Sequence, residues 1–281
     1  MKVRVCLVQM RSEKFNVKGN LDKVFKFLED LGERFGIACL PELFNVGYLL
    51  YDRFKEFSEP IPGPTTKFLG ELARNFSTHI VGGIAERDPA TNDVYNSSVL
   101  IGPSGDLIGK HRKIFLPWPP NGMERTVFKP GNGVKVFDTR LGKIGLMICY
   151  EMAFPEVSRA LALSGAELIV VSSAWIRVKD PPGRERVYDL APICRAFENN
   201  LFIAISNMVG KDDGVEFQGR SKIIDPMGRV VVECSERDEG AIVKEIDMDL
   251  VGEVRRAVPY FSDSRDGIKR VWSGAKIGAL R

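Results

Sequence analysis

The chain has 281 residues, 44% of them hydrophobic and 27% charged, a composition that can bury one large core or two modest ones. Forty basic residues against 37 acidic ones leave a formal charge of only +3, and the basic residues are scattered, which argues against nucleic acid or an anionic membrane as a partner. The opening MKVRVCLVQM lacks the apolar stretch of a secretory signal and no later run reaches membrane-spanning length, so a cytoplasmic location is the default expectation.

In chain order, Lys2 to Met10 alternates and reads as a strand, and Asn20 to Phe35 carries Leu21, Val24, Phe25, Leu28 and Leu31 at helical spacing. Ile37 to Leu40 returns to a strand. Pro64 to Phe76 reads as a helix with proline in its first turn, followed by an apolar strand from His79 to Ala85. The next two strands, Val94 to Gly102 and Asp106 to Lys113, are joined by Pro103-Ser104-Gly105, a hairpin signal. A Pro- and Gly-rich loop from Pro117 to Gly133 precedes strands at Val134 to Asp138 and Lys143 to Cys149, and a helix starts near Pro155. Glu167 to Ser172 reads as a buried strand, Gly183 to Asn199 as a helix and Leu201 to Met208 as a strand. A hairpin from Ser221 to Glu233 turning at Asp225-Pro226-Met227-Gly228, a strand from Ala241 to Ile246 and a short helix from Asp249 to Val258 complete the series, while Ile268 to Arg281 shows no clear period.

Helices alternating with strands on both sides of antiparallel hairpins predict a layered α/β protein, with two sheets packed together and helices outside. No linker or low-complexity segment interrupts the chain, so one domain over residues 1–281 is expected, with 259–281 as a C-terminal extension. The two β-α-β-containing halves suggest pseudo-symmetry, although no repeat recurs at a fixed period.

Five cysteines, Cys6, Cys39, Cys149, Cys194 and Cys234, are odd in number and widely spaced with no C-x-x-C pair, which speaks against a disulfide framework or structural zinc. No metal site is expected, because the chain has only two histidines, His79 and His111. Cys149 stands out. The apolar run Ile144 to Ile148 ends in it and a helix begins a few residues later, so a sheet would fix the thiol and the following turn would offer backbone N–H groups, Tyr150 N–H nearest, as an oxyanion hole. The plainer reading is a buried small residue, as the other four cysteines are taken to be.

A cysteine nucleophile needs a base or a positive charge beside it, since its ordinary thiol is mostly protonated at neutral pH. His79 opens a strand and His111 sits in the charged run Lys110-His111-Arg112-Lys113; neither stands in a strand-end loop. Glu42 is the better candidate. It follows the strand-like Ile37 to Leu40, where open α/β sheets place their crevices, and Leu43 and Phe44 would partly desolvate it and make it a stronger base. Lys113 ends a strand-like run before Ile114-Phe115-Leu116-Pro117, placing its ammonium to stabilise a thiolate or an oxyanion. Either residue alone also fits an ordinary surface position.

Together, PELFNVGY, HRKIFLP and CYEMAFPE resemble the glutamate, lysine and cysteine motifs of the nitrilase (carbon–nitrogen hydrolase) superfamily, in that order. The resemblance runs from VRVCLVQM through VFKPG, LALSGAELIVVSSAW and RAFENNLFIAISN to SKIIDPMGRVV, nearly the whole chain. It implies a four-layer αββα sandwich and a cofactor-free reaction in which Cys149 forms a thioester or thioimidate, Glu42 moves the protons and Lys113 holds the oxyanion with Tyr150 N–H. Glu124, in MERTVFKPG, matches a second glutamate that positions substrate in many amidases of this type. A small-molecule substrate and a homodimer or larger homo-oligomer are implied, with the C-terminal segment near Trp272 reaching a partner.

The chain resembles the stand-alone amidase branch. Met152, Ala153 and Phe154 follow the cysteine where carbamoyl-amino-acid hydrolases of the family place arginines, which disfavours a carboxylate-bearing substrate. Phe44, Tyr48, Trp118 and Trp175 are candidates to line a mostly apolar pocket, against the commoner role of aromatics in a core. The expected reaction is hydrolysis of a small linear amide with release of ammonia. Alternatives are a nitrilase, an N-carbamoyl-amine amidohydrolase, and a non-catalytic assembly or binding protein on the same fold.

Overall fold

The computed structural model describes residues 1–118, 123–177 and 186–274. Its elements are β1 (Lys2–Gln9), α1 (Val17–Asp30), β2 (Ile37–Cys39), α2 (Phe54–Phe57), α3 (Pro64–Phe76), β3 (His79–Arg87), β4 (Val94–Ile101), β5 (Leu107–Arg112), α4 (Glu124–Val127), β6 (Val136–Thr139) and β7 (Gly142–Ile148). There follow α5 (Pro155–Leu163), β8 (Leu168–Ser173), α6 (Arg186–Asn199), β9 (Phe202–Asn207), β10 (Val209–Asp212), β11 (Val215–Gln218), β12 (Lys222–Ile224), β13 (Val230–Glu233), β14 (Gly240–Asp247), α7 (Asp249–Ala257) and α8 (Tyr260–Gly274).

Two six-stranded sheets form, in the orders β14-β1-β2-β3-β4-β5 and β13-β12-β9-β8-β7-β6. Both carry the same series of pairings. From β5 to β14, and again from β13 to β6, two antiparallel pairs lead into two parallel pairs and a last antiparallel one. The pseudo-symmetry expected from the β-α-β rhythm thus lies in the pairing.

Period-two alternation decides which layer each side chain enters. Val5 and Leu7 of β1 meet Ile144 and Leu146 of β7 and Val170 of β8 in a core between the sheets, whereas Cys6 and Val8 pack outward with Val24 and Leu28 of α1 and Leu69 and Leu72 of α3. On the far face, Met147, Ile169 and Val171 pack with Val157 and Leu161 of α5 and Tyr188 and Ala196 of α6. The result is helix, sheet, sheet, helix: the four-layer sandwich.

Two expectations needed correction. The end of the chain, read as lacking a period, contains α8, which packs on its own chain: Arg159 Nη1 donates to Ser264 Oγ at 3.0 Å, and the Arg255 guanidinium lies 4.5 Å from the Phe261 ring centre. Its polar faces diluted the helical pattern. The β10–β11 hairpin, whose turn is Asp213-Gly214, was missed because its strands are short and carry three charged residues. The first part of the helix expected from Gly183, the side chain of Trp272 and residues 275–281 lie outside what is described. Among the described residues, no helix is long and apolar enough to cross a membrane.

Candidate active site

Glu42 sits just beyond β2, where the chain runs alongside β3: Gly83 N donates to Pro41 O (3.0 Å) and Phe44 N to Gly83 O (3.1 Å). A side chain at position 83 would not fit, because a Cβ there would stand 2.6 Å from Glu42 Cα. Fully buried, the Glu42 carboxylate accepts hydrogen bonds from Ala174 N (2.9 Å), Asn96 Nδ2 (2.7 Å) and Lys113 Nζ (2.7 Å).

Lys113 follows β5 directly and its backbone stays paired, donating to Asn96 O (2.8 Å) and accepting from Gly131 N (2.8 Å). With no exposure to water, its ammonium lies 2.7 Å from Glu42 Oε1 and 2.5 Å from Glu124 Oε1. Glu124 begins α4, and also accepts from the Tyr48 hydroxyl (2.7 Å) and Asn96 Nδ2 (3.0 Å). One ammonium and one amide therefore bridge two buried carboxylates.

Cys149 ends β7 and opens a 3-10 turn, Cys149–Ala153, with φ at 44°, a left-handed conformation uncommon for a residue with a side chain. That turn swings the thiol off the sheet into a narrow slot of about 30 Å³ lined by Tyr48, Pro117, Cys149, Tyr150, Ala174, Trp175 and Ile176. Glu151, two residues on, is wholly buried and accepts from Ile148 N (2.8 Å), Ile114 N (2.8 Å) and the His111 ring (2.8 Å). A single carboxylate thus ties the residue before Cys149 to the residue after Lys113.

Charge and burial act in opposition here. Burial alone would lower the Lys113 ammonium, but Glu124 and Glu42 outweigh it and hold the ammonium well above the ordinary lysine value, so it stays charged. Burial, then the Glu42 charge, pushes the Cys149 thiol well above its ordinary value, with Lys113 opposing them. The resting sulfur is therefore a protonated thiol. Glu124 is raised by burial, and Lys113 only partly offsets it.

Glu42, Lys113, Glu124 and Cys149 lie together, and Tyr48, Tyr150 and Trp175 line the slot. Trp118 does not: it is 53% exposed, and Pro117 lines the slot instead. The physical reason is local, since Leu116 is buried in a cluster with Phe128 and anchored through its carbonyl by Arg125 Nε (2.8 Å), so the chain turns outward after Pro117. Phe44 is core, packed with Leu40, Val24 and Ile84. Asn96, which holds both carboxylates, lies mid-strand in β4 and gave no sequence signal. Glu151 and His111 gave a weak one, as polar residues within CYEMAFPE and HRKIFLP. Among the described residues, no cluster of three or more histidine, cysteine or carboxylate groups could hold a metal ion.

A thiol, two carboxylates and an ammonium converging at strand ends between two packed sheets mark the class of nitrilase-like hydrolases. The chain belongs to the carbon–nitrogen hydrolase family, whose profile matches residues 4–256. It is 35% identical over 280 residues to "Probable nitrilase C965.09" of Schizosaccharomyces pombe, covering 97% of this chain and 100% of that one. It is 38% identical to "Nitrilase" of Pyrococcus abyssi, over 89% of this chain and 91% of the relative. The crystal structure of Saccharomyces cerevisiae Nit3, a member of branch 10 of the nitrilase superfamily, superposes with a TM-score of 0.82 at 31% identity, covering 92% of this chain and 94% of that one. The protein is a carbon–nitrogen hydrolase.

Proposed function

We propose that the protein hydrolyses the C–N bond of a small linear amide through a thioester on Cys149, releasing ammonia. The observation that carries this reading is the Lys113 ammonium seated between Glu42 and Glu124 beside the slot that holds the thiol. The Cys149 proton passes to Glu42 as Sγ attacks the amide carbon, and the developing oxyanion is held by Lys113 and the Tyr150 N–H. Because the thiol rests protonated, proton transfer accompanies attack. Glu42 then returns the proton to the amide nitrogen, the C–N bond breaks and ammonia leaves. A water enters, gives a proton to Glu42 and attacks the thioester; the C–S bond breaks and the thiol is regenerated. Glu124, steadied by Tyr48, orients the amide NH₂.

Ammonia release from a panel of aliphatic amides, nitriles and N-carbamoyl compounds tests the reading. Linear amides are the expected substrates, and turnover of nitriles alone would reject it. Cys149→Ala is expected to reduce turnover by about four orders of magnitude or more while leaving the circular dichroism spectrum unchanged. Equal activity in the variant would remove Cys149 from the site, and a wild type with no turnover of any of these compounds would favour a non-catalytic binding role. Assembly into a homodimer or larger homo-oligomer belongs to the same proposal, supported by Leu190 and Phe197 of α6 and Tyr260 of α8, large side chains left exposed on neighbouring helices. Light scattering reads the number of subunits.

A further inference from the structure

Beside the thiol slot lies a second and larger space, a chamber of about 210 Å³ that shares Tyr48 and Ile176 with the slot and is walled by Leu49, Phe54, Val127, Phe128 and Val215. Glu124 lines it too, at the side facing Lys113. We propose that this chamber receives the tail of the substrate, and that the substrate class is therefore primary amides whose acyl tail is apolar and uncharged. The inference rests on the amide-hydrolase reading above and adds to it the part of the substrate that the thiol does not touch.

Size supports the division of labour. The slot at Cys149, about 30 Å³, suits a small planar head such as an unsubstituted carboxamide, whereas the adjoining chamber, about 210 Å³, has room for several carbons. Charge supports it independently. Among the described residues, no lysine, arginine or histidine lines the chamber, and the only ionisable groups there are the Tyr48 and Tyr51 phenols and the Glu124 carboxyl. Nearby cations are turned elsewhere: Arg53 stacks 4.2 Å from the Phe15 ring centre and pairs with Glu56, Arg125 Nε donates to Leu116 O, and Arg177 pairs with Glu216 and Glu236. A carboxylate at the far end of the substrate would lose its hydration, find no cation and face Glu124. An alkyl or arylalkyl tail would instead leave water for a surface of matching character.

The experiment compares kcat/KM for acetamide, butanamide, hexanamide and glutaramate, the last being close to hexanamide in length but ending in a carboxylate. From acetamide to hexanamide, kcat/KM is expected to rise by about fourfold per methylene, the factor for moving one methylene out of water. Glutaramate should fall about a hundredfold or more below hexanamide. Val127→Lys, at the partly exposed wall, should shift the glutaramate-to-hexanamide ratio toward glutaramate, and Val127→Phe should lower the hexanamide-to-acetamide ratio. Calorimetric binding of both longer amides to Cys149→Ala reads the chamber without the chemistry. Glutaramate turned over as well as hexanamide would overturn the chamber assignment while leaving the amidase reading intact. Ammonia from no amide, with hexanamide still bound in preference to glutaramate, would sink the amidase reading and keep the assignment of the chamber as an apolar-tail site.

Discussion

Lys113 balances the charge of the site, because two carboxylates that would repel each other in a dry interior are held together by its ammonium at 2.7 and 2.5 Å. Removing one member of such a group is far more costly than removing the whole group, since the remaining charges stay buried without a partner. Lys113→Met is therefore expected to lower stability by about 3–5 kcal/mol and to abolish turnover. Adding Glu124→Gln should return part of the stability but none of the activity. Urea unfolding of the single and double variants measures this, and a double variant no more stable than the single one would show that repulsion between the carboxylates is not the source. The positions of Glu42 and Cys149 were legible in the sequence because each adjoins the end of a short apolar strand, where a charged or nucleophilic residue has little business unless the strand end opens into a crevice, whereas Lys113, at the end of a basic run, stood out only through the resemblance of HRKIFLP to the lysine motif of the family. Asn96 was not, since its role depends on where β4 lies relative to two loops far away in the chain. Nor was the bond from the Tyr48 hydroxyl to Glu124, which spans 76 residues and turns an expected pocket aromatic into a hydrogen-bond donor.

At the level of elements, what matters is the attachment of the Cys149–Ala153 turn to the end of β5 through Glu151. Burial alone would raise the Glu151 carboxyl, but His111 and the backbone N–H groups of Ile114 and Ile148 more than offset it and hold it below the ordinary carboxylate value. In Glu151→Gln the amide oxygen can still accept one of those N–H groups, while the NH₂ faces the other donor and leaves it unsatisfied. The turn should then shift relative to Lys113. The expected outcome is a kcat lower by about ten- to a hundredfold with KM nearly unchanged, the mark of lost alignment rather than lost binding. The acid limb of stability supplies a second reading. A carboxyl whose folded value lies below its unfolded value of about 4.5 contributes in full above that pH and loses its contribution as pH falls through the folded value. Thermal melting of the variant should accordingly depend less on pH below about 4.5 than that of the wild type; parallel acid limbs would show that the Glu151 charge does not stabilise the fold. The Pro64–Phe76 helix and the hairpins at 103–105 and 225–228 were legible because proline, glycine and apolar spacing act locally. The Cys149–Ala153 turn was not, because it is held by a carboxylate bonding to His111 of β5 and to the Ile114 N–H just past that strand, contacts that no local pattern reports.

Across the molecule, the two sheets repeat one pairing series without repeating a sequence, since that series constrains only hydrogen bonds and alternation, and many residues satisfy both. Layering was legible from alternation for the same reason. What alternation cannot disclose is that the site is divided between the sheets: Glu42, Asn96 and Lys113 come from the first, Cys149 and Ala174 from the second. The halves are joined at this point by Glu42 N donating to Ser173 O at 3.3 Å, by Ala174 N donating to Glu42 Oε2 at 2.9 Å and by the bridge between Met10 and Met208. Glu42 and Cys149, on opposite sheets, are expected to keep their alignment only while the sheets are closed on each other. Leu146, fully buried in the layer between them and three residues before Cys149, is the place to test that dependence. Truncating Leu146→Ala removes apolar contact and leaves a cavity that strands on both sides cannot collapse to fill, for a cost of about 2–5 kcal/mol. The urea midpoint read by circular dichroism should drop accordingly, and the midpoint for loss of ammonia release should drop by the same amount. If ammonia release is lost at a urea concentration well below the one at which the sheets unfold, the site comes apart on its own and the closure of the two sheets is not what holds it together.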